Sequence, residues 1–128
     1  MRAPGLGFAA AAVLALEGIA LVVVAFVELV GLGAGDAASR PTAIALIVLT
    51  LVGAAGLLAF AWGARAGRSW ARSGGVVLQV LAIVIALASL TLQPVPWGFV
   101  VGAGIPGLVG FILLIASARR EGEAREQD

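Results

Sequence analysis

The sequence alternates four long apolar stretches with short polar ones. Roughly 20 apolar residues let a helix cross the hydrocarbon core of a bilayer. The four stretches cover about 6–32, 42–63, 74–92 and 97–118. They are continuous, whereas the strands of a membrane barrel alternate apolar and polar residues. The pattern therefore predicts an all-α integral membrane protein, an antiparallel up-and-down four-helix transmembrane bundle over residues 1–118. Residues 119–128 follow as a charged cytoplasmic tail, which we expect to be frayed or disordered. The alternative is a helical tail, in which Glu121 and Arg125 lie at i,i+4 spacing.

The polar stretches predict where the helices begin and end. Residues 33–40 (GAGDAASR) form a short loop, and Pro41 fits the first turn of the second helix, with Ser39 or Arg40 just outside it. Residues 93–96 (QPVP) predict a tight turn, since each proline disfavours helix at the residue before it.

The first apolar stretch also has to be weighed as a signal peptide. Met1 and Arg2 make a thin basic region, and the stretch is longer than the 7–15 or so apolar residues of a signal sequence. Glu17 also interrupts it. We expect an uncleaved membrane helix.

Composition supports the membrane assignment and narrows the chemistry. The chain is 62% hydrophobic and 12% charged, with a mean hydropathy of +1.13, whereas soluble domains are about 25% charged. It contains no Cys and no His, which removes disulfides, thiol chemistry and the usual zinc and haem ligands. No Ser/His/Asp set or paired-carboxylate site is present, so we expect no enzyme activity, no metal and no cofactor. The net charge of +1, with basic residues spread over loops and ends, argues against a nucleic-acid partner.

Arginine placement predicts the orientation in the membrane. Counting by the predicted helices puts seven arginines on one side, at positions 2, 65, 68, 72, 119, 120 and 125. Only Arg40 falls on the other side, and short arginine-rich segments stay cytoplasmic. The prediction is a multi-pass protein of the cell membrane with both termini and the 64–72 turn in the cytoplasm. Trp62 and Trp70 then lie at the inner interface and Trp97 at the outer one.

Glu17 is the strongest candidate for a functional intramembrane group, because a carboxylate in this position is costly. Glu28 lies eleven residues later, close to three helical turns, and so on the same stripe near the outer interface. Leu16-Glu17 and Leu78-Gln79 each open a similar apolar run, which makes Gln79 the predicted partner of Glu17. The functional interpretation is a proton or cation site. The structural interpretation, which we favour, is a neutral Glu hydrogen-bonded to another helix.

Two further patterns have both a functional and a structural interpretation. Arg65, Arg68 and Arg72 suit anionic lipid headgroups, although a simple topogenic turn explains them equally well. The fourth stretch carries small or helix-breaking residues at i+4 spacing, namely Gly98, Gly102, Pro106 and Gly110, with Gly104 and Gly107 beside them. The second stretch carries a weaker stripe of small residues at Ala55, Ala59 and Gly63. Close helix packing is the favoured interpretation, and a hinge is the alternative.

GRSWARSGGVVLQ (67–79) together with LEGIAL (16–21) resembles a group of small four-helix membrane proteins from actinobacteria. The resemblance implies a fold and a taxon but no activity. A looser similarity links Glu17 to the first-helix Glu of small multidrug resistance transporters. The strong arginine asymmetry and the missing aromatic residues in the later helices depart from that family.

Two functions compete on this evidence. The first is a non-enzymatic accessory or interaction subunit in the lipid bilayer, bound to another membrane protein or to itself as an oligomer. The alternative is a small proton-coupled or cation transporter built around Glu17.

Overall fold

The computed structural model describes residues 4–35 and 38–127, and this part of the chain is helical with short connections. The helices are α1 (Pro4–Ala34), α2 (Arg40–Arg65), α3 (Ser69–Ser89) and α4 (Trp97–Gln127). Each contains a segment long and apolar enough to cross a membrane. The predicted all-α fold with four membrane-length helices is therefore confirmed.

The helix boundaries agree with the prediction at α2 and differ at α3. Ser39 is the N-cap of α2 and Pro41 lies in its first turn, as predicted. α3 begins at Ser69, five residues before the predicted start at 74. The break lies instead at Gly67, whose φ of 75° is the left-handed conformation that glycine adopts at least cost. Residues 36 and 37 of the predicted first loop lie outside the described residues.

The charged tail differs from the expectation of fraying. α4 continues past residue 118 as far as Gln127. Apart from Gly122, the tail residues within the helix are Ala, Arg, Glu and Gln, which are among the better helix formers. High intrinsic propensity thus extends α4 beyond the apolar stretch that defined its predicted end.

The four helices form a closed ring in chain order. α1 packs against α2 and α4, and α3 packs against α2 and α4. The most extensive pairings are α1 with α2 and α3 with α4, so the bundle consists of two helical hairpins. We call α1 and α2 the first hairpin, and α3 and α4 the second hairpin. Because neighbours in the ring run antiparallel, α1 and α3 are parallel and lie diagonally opposite each other.

The main core lies at one end of the bundle. We call this the terminal end, because it contains the start of α1, the α2–α3 turn and the second half of α4. The opposite end, with the α1–α2 connection and the α3–α4 turn, is the loop end. The core residues are Ala10, Ala11, Leu14, Leu57, Ala61, Ala64, Ala71 and Leu114. Most of them are alanines, whose small side chains let helix backbones approach closely.

The exposure of α1 changes sharply along its length. Between residues 5 and 18 only Gly5, Phe8 and Leu16 are exposed, because this half contacts both α2 and α4. Beyond residue 18 the buried and half-buried positions shrink to one stripe at helical spacing. These positions are Leu21, Ala25, Glu28, Gly31 and Leu32. A single stripe is what a helix buries against one neighbour rather than two.

The buried faces of α2 and α3 also become narrower toward the loop end. In α2 the buried and half-buried positions before residue 53 are Ala43, Ile47 and Thr50. In α3 the corresponding positions after residue 79 are Ala82, Ile83, Ala86 and Ser89. Two glycines in this half report contacts within a hairpin: a Cβ on Gly53 would lie 3.4 Å from Leu21 Cδ1, and a Cβ on Gly104 would lie 3.3 Å from the Cβ of Ala86. The helices are therefore less enclosed by the protein toward the loop end than at the terminal end.

Candidate functional site

The structure brings Glu17 and Gln79 together across the diagonal of the ring. The Gln79 side-chain amide Nε2 donates a hydrogen bond to Glu17 Oε2 over 2.6 Å. Glu17 lies near the middle of α1 and Gln79 at the middle of α3, so the two parallel helices place them at equal depth. The equal depth suggested by the Leu16-Glu17 and Leu78-Gln79 echo thus corresponds to a direct contact. A functional role for the pair stays a prediction.

Gln79 is fully enclosed by the protein, with no exposed surface. Its amide lies directly against the backbone of α4 at Gly110. A Cβ on Gly110 would lie 2.8 Å from Gln79 Cδ and 2.9 Å from Nε2, closer than packed atoms approach. Gly110 therefore creates the space that the Gln79 side chain fills. From the sequence, Gly110 could be assigned only to a packing stripe. The residues around it do not indicate which side chain of another helix faces it.

A tightly packed apolar layer lies one helical turn below the pair, toward the terminal end. Leu14 and Leu114 are both fully buried there. A Cβ on Gly75 would lie 3.0 Å from Leu114 Cδ1 and 3.4 Å from Leu14 Cδ1. Each of these three residues lies about one helical turn from a residue of the polar layer: Leu14 from Glu17, Gly75 from Gln79 and Leu114 from Gly110. α1, α3 and α4 therefore meet in two successive layers. The polar pair is the layer nearer the loop end.

Two oxygen atoms of the pair are buried and have no hydrogen-bond partner among the described residues. They are Glu17 Oε1 and Gln79 Oε1. An ionised carboxylate is an acceptor only, and an amide oxygen is also an acceptor, so neither atom can satisfy the other unless a proton is added. Buried polar atoms are almost always hydrogen-bonded in native proteins, so this pair has an unmet requirement for a donor.

Glu28 occupies a different environment on the same helix. Its Oε1 lies 3.4 Å from the Thr50 hydroxyl of α2, and its Oε2 has no partner among the described residues. The Thr50 hydroxyl lies 2.7 Å from the Leu46 carbonyl, which takes its single hydrogen. Glu28 is six residues from Ala34 at the end of α1, and its side-chain partner Thr50 belongs to the first hairpin. It does not join the two hairpins as Glu17 does.

The three arginines proposed for lipid headgroups are not equivalent. Arg65 is exposed, and its guanidinium lies 5.2 Å from the centroid of the Phe8 ring. Arg68 is exposed at the N-cap of α3. Arg72 is 8% exposed and interacts with other groups of the protein. Contact with lipid headgroups stays a prediction for all three arginines, of which Arg65 and Arg68 are the exposed ones.

The small residues of α4 divide into an inward and an outward set. Gly104, Gly107 and Gly110 face α3, where added Cβ atoms would contact residues of that helix. Gly98 and Gly102 have no atom within 4 Å of an added Cβ. Within this chain, close helix packing therefore involves Gly104, Gly107 and Gly110, and Gly98 and Gly102 take no part in it. A helix turns 100° per residue, so a stripe at i+4 spacing drifts around the axis over three turns.

In the weaker stripe of α2, Ala55 and Ala59 are exposed and Gly63 is buried. A Cβ on Gly63 would lie 2.5 Å from the Cβ of Ala71, which marks a very close approach of α2 and α3 beside their turn. Only Gly63 therefore behaves as the packing interpretation predicts.

No protein-family model matches this sequence, and no curated protein or solved structure shows a significant match.

Proposed function

We propose that this protein is a non-enzymatic integral membrane protein that acts as a small accessory or interaction subunit. The observation that supports the proposal is the outward position of Gly98 and Gly102. They form a small-xxx-small spacing on an apolar helix, which is a geometry that lets a second membrane helix approach closely. Gly104, Gly107 and Gly110 already pack against α3, whereas the face with Gly98 and Gly102 is available to another chain or a second copy.

The surface around the two glycines suits a membrane environment. Val101 is 50% exposed and Ile105 is 58% exposed, and large apolar side chains are exposed on all four helices. Lipid acyl chains cover such side chains without cost, but they pack poorly into the flat surface that two glycines leave. A helix with a complementary ridge fills that surface better, which favours a protein partner there.

The proposal includes the orientation and kinship that the sequence indicates. Both termini lie in the cytoplasm and the chain belongs to the cell membrane, because the arginines concentrate at the terminal end. Kinship with the actinobacterial four-helix group is part of the same proposal and is based on residues 67–79 and 16–21.

The test compares two substitutions one residue apart on α4. A tagged protein is purified from native membranes together with a second copy carrying a different tag, and both the second copy and other membrane proteins are quantified. Gly102→Leu should reduce recovery of the partner, whereas Val101→Leu should not. Both positions are exposed, and a Cβ at Gly102 meets open space, so neither change should affect the fold. Equal recovery with the two variants would contradict the proposal.

The second candidate is a proton-coupled or cation transporter, and the unpartnered Oε1 of Glu17 favours it. An intramembrane carboxyl with an unsatisfied oxygen is a group that can bind a transported cation. Reconstituted vesicles should then show cation-dependent flux that Glu17→Gln abolishes and Glu28→Gln preserves. Flux that is absent from the wild type, or insensitive to Glu17→Gln, would exclude this candidate.

A further inference from the structure

We propose that Glu17 and Gln79 form a proton-binding site at the centre of the bundle, and that the bound proton holds the two hairpins together. The site consists of the two buried oxygens that lack a donor, Glu17 Oε1 and Gln79 Oε1. This inference does not depend on whether the outward face of α4 binds another helix.

Protonation gives both unpartnered oxygens of the pair a hydrogen-bond partner. Gln79 Nε2 already donates to Glu17 Oε2. A proton on Glu17 Oε1 supplies a hydroxyl that donates to Gln79 Oε1, so each side chain gives one donor and accepts one bond. The only covalent bond formed is the O–H bond, and the carboxylate becomes a neutral carboxylic acid. Without the proton, a negative charge is buried beside the amide oxygen of Gln79, and buried unpaired charge is strongly unfavourable.

A proton suits this site better than a metal ion. Hard metal cations take about six or more oxygen ligands, whereas the pair offers two unsatisfied side-chain oxygens. The neighbouring residues Leu14, Leu114, Gly75 and Gly110 offer no side-chain oxygen. A single proton needs only one oxygen to bind and one to accept.

Among the described residues, no other charged group shares this depth of the bundle. In α1, Glu28 lies three turns away. α2 carries no ionisable residue between Arg40 and Arg65, and α3 carries none after Arg72, which lies about two turns from Gln79. In α4 the first charged residue is Arg119, nine positions beyond Gly110. The charge of Glu17 therefore has no opposite charge beside it on any packed helix.

The site lies on the loop side of a packed apolar layer. Leu14, Gly75 and Leu114 join α1, α3 and α4 in that layer, and beyond the site the buried and half-buried positions of α1 shrink to a single stripe. The Glu17–Gln79 bond links α1 and α3 across the diagonal of the ring. Loss of the proton places an anion facing an amide oxygen at this link, which favours movement of the loop ends away from each other.

Two measurements on the full chain in lipid nanodiscs test the proposal. Infrared difference spectra between low and high pH should show the C=O band of a protonated carboxylic acid in the wild type and in Glu28→Gln, and not in Glu17→Gln. The chain has no Cys, so spin labels can be placed at Thr42→Cys and Leu92→Cys, exposed positions at the loop ends of the two hairpins. Their distance should lengthen at high pH in the wild type and in Glu28→Gln.

Glu17→Gln supplies the control that keeps the fold. Its amide can donate to Gln79 Oε1 and accept from Nε2, so the label distance should stay short at every pH. A reference pair at the terminal end, Gly5→Cys with Arg119→Cys, should not move. A pH transition that persists in Glu17→Gln, or disappears in Glu28→Gln, would overturn the proposal. A wild type without any transition would overturn it too. So would a short label distance at high pH that is seen in sodium salts but not in choline salts, because the bound cation would then be sodium and not a proton.

Discussion

Gly110 faces the side-chain amide of Gln79 so closely that α4 has room there for a hydrogen atom but not for a methyl group. Gly110→Ala should therefore push the amide away from Glu17 and reduce the free energy of unfolding by about 1–3 kcal/mol, the usual range for overpacking. Thermal unfolding in detergent measures the loss. The matched control is Gly102→Ala on the same helix, where an added Cβ meets open space and stability should be unchanged or slightly higher. Equal melting temperatures for the two variants would show that the amide can move without cost.

The polar pair should respond to shape-preserving and apolar substitutions in different ways. Glu17→Gln keeps a donor and an acceptor and should unfold near the wild-type temperature. Glu17→Leu leaves the buried Gln79 amide without its partner, which should cost about 1–3 kcal/mol. Detergent melting curves provide the comparison. The double variant Glu17→Leu with Gln79→Leu should recover part of the loss, and strictly additive effects would argue that the bond contributes nothing.

The α2–α3 turn should be sensitive to a single added methyl group. Gly63→Ala places a Cβ 2.5 Å from that of Ala71, and neither atom can rotate away because both are fixed to helix backbones. We expect a loss of about 1–3 kcal/mol in the free energy of unfolding. Gly56→Ala, two turns earlier in α2, meets only Leu78 Cδ1 at 4.0 Å and should be mild. If Gly56→Ala proved the more damaging change, the close approach of α2 and α3 would be in doubt.

Orientation in the membrane can be measured with single cysteines, since the chain has none of its own. Ser69→Cys, in the first turn of α3, should react with a membrane-impermeant reagent only after cells are permeabilised. Gln93→Cys, in the α3–α4 turn, should react in intact cells. The reverse pattern would place the arginine-rich terminal end outside.

The sequence was sufficient for the fold class because apolar length acts independently of detailed packing. It also indicated the Glu17–Gln79 pair, since polar groups in a membrane helix are drawn to the protein interior. Apolar residues do not indicate which face of a membrane helix lies inside the protein, because they are equally stable in lipid and in the protein core. The sequence therefore could not separate the inward Gly107 from the outward Gly102, and it could not show that Gly110 faces Gln79.

The uneven distribution of close contacts along the bundle has a consequence for how the chain tolerates mutation. In a comprehensive substitution library, the boundary between intolerant and tolerant positions should run across the membrane at the level of Glu17, Gln79 and Gly110, and not between one helix and the next. On the terminal side, even alanine-sized changes should be selected against. On the loop side, most positions should accept any residue that remains soluble in lipid, so sequences with this architecture can diverge in one leaflet while they remain similar in the other.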